Sequence, residues 1–321
     1  MSSSAWKLAN LRDKSMAEEI RSYTSLDKSG AGTIRESFQL LRKSLQSWRN
    51  MSDEVAYVLQ VCRDAEALVV QQTHRPIENL DALELGPGQL PRQTAYFALR
   101  NRVTAIDLDV IPSSVGSYLR LLRENGAKRL IKTLARKALG HDRAFRTELR
   151  RQLQVNSLAR ATLLQMDATK MSFPDGSFDF AYSFDTFEHF PDPAAVLREL
   201  HRVLRPQGRV LTVLHPWTAD TGCHDMRLYL SGRANLPYWP HLRPETREQV
   251  QSFAYLNRLT ISQWRETFAS IFPNSVFTPW RWDKQAPKAL AEARAEGAFT
   301  QYTDEDLLTD RIVVVSQKVE T

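Results

Sequence analysis

The stretch ALELGPGQL, residues 82–90, decides the fold. Within it Leu83-Glu84-Leu85 is a short strand, which runs into Gly86-Pro87-Gly88 and ends there in a turn. Glycines carry no Cβ, so a ligand can approach the backbone closely there. Working outward, 94–99 has a helical pattern and 102–106 is a second strand that ends at Asp107. Further strands are predicted at 161–166, 178–182, 208–214, 276–280 and 311–316, with helices at 192–204, 262–271 and 287–296. Strands alternating with helices predict an α/β fold, a Rossmann-like, doubly wound, mostly parallel seven-stranded sheet covered on both faces.

In such a sheet, ligands sit beyond the carboxyl ends of the strands. Four of these ends carry glycine or polar residues: Glu84 with Gly86 and Gly88, Asp107, Asp167 with Ala168, and Ser183. An acid after the second strand can accept hydrogen bonds from both hydroxyls of a ribose. A carboxylate after the third can accept one from an adenine amino group.

The blocks ALELGPGQL (82–90), VTAIDLD (103–109), MDATKMSFPDGSFDFAYSFDTFEHFPDP (166–193) and VLRELHRVLRPQGRVLTV (196–213) resemble, in that order, the class I S-adenosylmethionine-dependent methyltransferases. The branch they are most similar to is that of ubiquinone and menaquinone biosynthesis, with a methyltransferase type 11 domain. The resemblance implies S-adenosyl-L-methionine as cofactor. It implies Glu84, Gly86 and Gly88 at the methionine end, Asp107 on the ribose, Asp167 and Ala168 at the adenine, and Ser183 on the pocket wall. A third glycine often seen in this loop is replaced by Leu90-Pro91. A Rossmann dehydrogenase needs that glycine for its pyrophosphate turn, so its absence favours the sulfonium cofactor.

Methyl transfer needs a base only when the acceptor must lose a proton. The expected bases, in order, are His224, which neighbours Asp225, then His215 directly after the fifth strand, then His189. Five of the seven tryptophans fall between Trp217 and Trp282. The connection 215–258 reads as an aromatic lid in which Trp217, Tyr229, Tyr238 and Trp239 grip an apolar acceptor. The alternative is a satellite core under the loop.

Residues 1–75 read as a helical cap or dimer surface. There, Thr33 and Glu36 form a capping box, and Phe38, Leu41, Leu45 and Trp48 recur at helical spacing. Residues 76–321 form the methyltransferase domain. Between the second and third strands lies a helical insertion, 113–160, with twelve Lys/Arg against three acids, a local charge of +9 in a chain of +6. It reads as a solvated cap, a peripheral membrane contact or an anion-recruiting surface. No nucleic-acid-binding module is recognisable. Two cysteines, no CxxC pair and no His/Cys spacing give neither a disulfide framework nor a metal site. No apolar run reads as a signal peptide or a membrane span, so a reducing cytoplasm is the expected compartment.

The expected function is methylation, most simply on oxygen, of a small-molecule or lipid-linked acceptor in a biosynthetic pathway. The alternatives are methylation of RNA or protein, or a non-catalytic cofactor-binding scaffold. Ser183-Phe184-Asp185-Thr186 stands where an amino-group methyltransferase of macromolecules carries an Asn-Pro-Pro-Tyr-type tetrad.

Overall fold

The computed structural model describes residues 51–88, 92–108, 140–229, 231–252 and 254–319, with isolated positions between 116 and 134. The capping box at Thr33, the helix predicted after it, Leu90-Pro91 and most of the basic insertion lie outside the described residues.

Seven strands form one sheet: β1 (Asp81–Leu85), β2 (Arg102–Asp107), β3 (Thr162–Gln165), β4 (Phe178–Phe184), β5 (Leu204–Leu214), β6 (Val276–Trp280) and β7 (Arg311–Gln317). Their order is β3-β2-β1-β4-β5-β7-β6. The first five are parallel, whereas β7 pairs antiparallel with both β5 and β6. The strand pattern expected from sequence is present, with shifted ends. Strand β5 begins at Leu204, directly out of the preceding helix, rather than at 208. Leu204 pairs with Phe178 and Arg209 with Phe180, so the Arg205-Pro206-Gln207-Gly208 stretch bulges within the strand and hides its start from a periodicity reading.

Helices α1 (Met51–Thr73), α2 (Arg92–Phe97) and α3 (His141–Leu153) cover one face, and α4 (Pro193–Val203) and α5 (Ile261–Ala269) cover the other. On the first face Val55, Leu59, Cys62 and Val69 of α1 are fully buried against Ala82, Phe180, Tyr182 and Val313. Helix α1 therefore shares the main core with the sheet. On the second face Leu83, Leu85, Val196, Leu200, Trp264 and Phe268 interlock. With both faces covered, inner strands must be apolar on successive residues, as in Ile312-Val313-Val314-Val315.

Local chemistry sets the helix starts. The Asp192 side chain accepts from the Ala195 N–H at 2.8 Å, and Pro193, which has no donor to lose, opens α4. Thr260 and Gln263 form a reciprocal capping box at α5. Two short helices, α6 (Ala286–Ala295) and α7 (Asp304–Leu308), pack around Trp239 as a satellite core. Among the described residues no helix is long and apolar enough to cross a membrane.

Candidate active site

The strand order reverses between β2-β1 and β4-β5, which opens a crevice at the carboxyl ends of β1 and β4. Gly86 and Gly88 line it with φ of 68° and 65°. A Cβ on Gly86 would fall 2.3 Å from Cγ2 of Thr186, so only glycine lets this loop lie against the segment after β4. At Gly88 nothing among the described residues lies within 4 Å of where a Cβ would be, so its backbone is open on that side to them. The Gly88 N–H donates to Oδ2 of Asp107 at 3.2 Å, tying the loop to the end of β2. Asp167 is exposed, and its Oδ1 accepts from the Thr169 N–H and hydroxyl at 2.8 Å each; Ala168 beside it is buried. Ser183 is buried and donates to the Leu85 carbonyl at 3.2 Å.

Glu84 is 2% exposed and faces the α1–α2 side of the sheet. Its Oε2 accepts from Thr94 and, at 3.1 Å, from Tyr182. Burial pushes its carboxyl up to about 7, against the two hydrogen bonds that favour the ionised form.

The three sequence-predicted histidines converge from three segments at the same edge. His215 leaves β5, His224 sits in the turn that follows with φ 54°, and His189 ends the 3₁₀ turn Phe187–His189. The His215 and His224 rings stack at 4.5 Å, and His189 meets His224 edge-on at 5.0 Å. Burial, reinforced by the neighbouring imidazoles and Arg311, drives His224 down to about 3 and His215 well below its ordinary value. His189 is also lowered by burial, partly offset by the Tyr255 carbonyl 2.7 Å from its Nδ1. All three rings are thus neutral near pH 7.

The carboxylate facing His224 is Glu188, 3.8 Å away and 3% exposed, and not the chain neighbour Asp225. Asp225 is taken up by Arg227 at 2.6 Å and the Gln251 N–H at 2.8 Å. Burial first, then Asp185, holds the Glu188 carboxyl well above the carboxylate range. Arg311 joins the group through Asp185, with Nε 2.6 Å from Oδ1. Sequence reasoning missed Glu188, Asp185 and Arg311. The first two lie inside the quoted family block, but nothing in the spacing points a side chain 36 positions away at His224, nor Arg311 at Asp185.

The four aromatic residues assigned to the lid are not gathered into one wall. Trp239 is fully buried in the satellite core and donates from Nε1 to the Leu307 carbonyl at 3.1 Å. The Tyr238 ring lies under Arg233, and its hydroxyl donates to Asp283 at 3.1 Å. Trp217 packs against His241 and under Arg258, while Tyr229 is 50% exposed. A cleft at the crevice edge is lined instead by Tyr57 and Val61 of α1, Phe184, Trp280, Trp282 and the Asp185–Arg311 pair.

A family model for a methyltransferase domain matches residues 113–212, which contain β3, β4 and most of β5. This match, the strand order with its antiparallel β7 and the Gly86–Asp107 crevice agree. Residues 113–212 therefore carry a methyltransferase domain. S-adenosyl-L-methionine is the methyl donor of this domain. The crevice fits it: an open, left-handed Gly88 admits a ligand to the backbone, and a half-buried carboxylate, Asp107, stands at the end of β2 where a ribose is held in such folds.

Phosphoethanolamine N-methyltransferase 3 of Arabidopsis thaliana is 36% identical over 67 residues, covering 21% of this chain and 14% of that protein. The chloroplastic tocopherol O-methyltransferase of the same plant is 38% identical over 84 residues, covering 26% and 22%. The chain thus spans less than a quarter of the length of either relative. Among solved structures, phosphoethanolamine N-methyltransferase 2 of Haemonchus contortus in complex with S-adenosyl-L-methionine aligns over 80% of this chain and 53% of that one, at 15% identity and a TM-score of 0.45.

Proposed function

We propose that the chain methylates a small-molecule or lipid-linked acceptor on oxygen, with the acceptor lying against the Glu188, His189, His215 and His224 group. The observation that carries this reading is the convergence of three neutral imidazoles beside the glycine loop, joined to it through the Gly86–Thr186 contact. Gly86, Gly88, Asp107, Asp167, Ala168 and Ser183 would hold the cofactor, with Glu84 bracing the loop from beneath through Thr94. When bound, the cofactor supplies an electrophilic methyl carbon on an already activated leaving group. The protein then has to hold the acceptor oxygen in line, exclude water and accept one proton.

An imidazole that is uncharged near pH 7 has a lone pair for that proton, and of the three rings His189, whose lowering by burial the Tyr255 carbonyl partly offsets, is the strongest base. The Tyr255 carbonyl can only accept, so the His189 proton sits on Nδ1 and its lone pair on Nε2. The tocopherol enzyme, named as an O-methyltransferase, is in keeping with an oxygen acceptor; the phosphoethanolamine enzyme, named as an N-methyltransferase, keeps nitrogen as the competing outcome. In the same reading, 215–258 covers the acceptor and 113–160 is a surface for anionic membranes.

The test is turnover of methyl-labelled cofactor against fractionated cell extract, with mass analysis of the product. A labelled small molecule bearing a new methoxy group supports the proposal. Label recovered only in RNA or protein, or no transfer by a chain that binds S-adenosylhomocysteine, refutes it. Replacing the base among His224, His215 and His189 by alanine is expected to cost about 100- to 10,000-fold in kcat while leaving cofactor affinity near normal.

A further inference from the structure

We propose that Glu188, His189 and His224 form a binding site for a divalent transition-metal cation at the crevice edge. Each offers one donor atom, and these three atoms lie within 4.8 Å of one another. A cation bound at about 2.0–2.2 Å needs donors roughly 3–4 Å apart, so small side-chain rotations would close the shell.

A second observation, independent of that spacing, points the same way. The Glu188 side chain is 4% exposed, and neither carboxylate oxygen has a hydrogen-bond partner among the described residues. The backbone N–H groups of Glu188 and His215 point towards it without reaching hydrogen-bond geometry. A buried carboxylate is ordinarily fully hydrogen-bonded or bound to a metal, because leaving it bare costs several kcal/mol. His224 Nε2 lies 3.8 Å from Glu188 Oε1, too far for a hydrogen bond and suited to a gap that a cation fills.

His189 is set up as a ligand. Metal-bound imidazoles usually donate their other ring N–H to a carbonyl or carboxylate, and Nδ1 of His189 donates to the Tyr255 carbonyl at 2.7 Å. Asp185, Glu188 and His215 form an overlapping group of donors that shares Glu188. In that second group Asp185 is already paired with Arg311 at 2.6 Å, and His215 Nε2 with the Thr221 hydroxyl at 3.0 Å. A cation is therefore assigned to the first group.

Two imidazoles and one carboxylate suit zinc, cobalt, iron or manganese better than magnesium or calcium, which prefer oxygen donors throughout. Three protein donors leave positions open for a substrate oxygen. A cation there would hold an acceptor hydroxyl and lower its pKa, doing the work given above to an imidazole. This catalytic consequence rests on the crevice edge being the acceptor site; cation binding does not. Sequence spacing showed no metal site because the donors come from two loops that only the fold brings together.

The test uses the full chain, stripped with a chelator and dialysed, then titrated with Co²⁺ by visible absorption and calorimetry, with Zn²⁺ as competitor. One equivalent per chain, with ligand-field bands in the visible, is expected. Glu188→Gln and His224→Gln should each weaken binding by at least roughly 100-fold, while His201→Gln, on α4 away from the crevice, should not. Circular dichroism melts confirm that each variant is folded. Failure of Co²⁺ to bind at millimolar concentration, or binding that survives both Glu188→Gln and His224→Gln, overturns the proposal. S-adenosylhomocysteine binding by the same samples separates the two readings: a chain that takes the cofactor but no cation loses only the metal site.

Discussion

Glu84→Gln should make the protein more stable at pH 8 relative to pH 5 than the parent chain is. In the folded chain the Glu84 carboxyl is held near 7, against 4.5 for an ordinary glutamate, because burial penalises the charge more than Thr94 and Tyr182 repay it. A carboxyl whose folded value is raised contributes its full stability below about 4.5. That contribution is lost as the pH climbs through 7, where the buried group is forced to ionise. At about 1.4 kcal/mol per pH unit the loss amounts to about 3 kcal/mol. Glutamine has nearly the same shape, keeps an acceptor for the two hydroxyls, and has no proton to lose. The parent should therefore fall relative to the variant by about 2.5 kcal/mol between pH 5 and pH 8, since part of the loss has already occurred at pH 5, or roughly 4 °C in Tm for a chain of this size. Thermal melts of both proteins across that range, followed by circular dichroism, check it. Parallel Tm–pH curves would refute the reasoning, since they would mean that Glu84 is ionised in the fold at no cost.

Asp107→Ala removes both the proposed ribose contact and the Gly88 tie, and should weaken S-adenosylhomocysteine binding by about 1.5–3 kcal/mol in calorimetry; unchanged affinity would take Asp107 out of the site. Reversing the exposed charges Arg143, Arg146 and Arg150 on α3 should leave cofactor affinity intact and reduce binding to anionic vesicles in a salt-sensitive way. A parent chain that ignores such vesicles at low salt would leave this helix as a solvated cover for the sheet.

The parts of the fold legible in the sequence are those governed by local rules. Alternating apolar runs and helical periods mark the strands and helices, and Gly86, Gly88 and Asp107 mark the crevice by their places at strand ends. Even there, a local rule can mislead about contacts. Asp225 follows His224 in the chain, yet its carboxylate turns to Arg227 and Gln251. Trp239 lies in an aromatic-rich connection, yet burial under α6 and α7 makes it core. Trp280 at the end of β6 and Trp282 just after it reach the cleft that the lid was expected to form.

By itself the sequence determined the order of the elements, the doubly wound sheet and the glycine–acid cofactor motif, because each follows from residues near one another in the chain. Only the tertiary structure decided that Glu188 faces His224, that His215 and His224 stack and that Arg311 pairs with Asp185. Parallel strands bring their carboxyl ends to one edge whatever the length of chain between them. Side chains separated by tens to more than a hundred residues thus share one low-dielectric pocket, and their charge states are set by neighbours that no spacing rule can reveal.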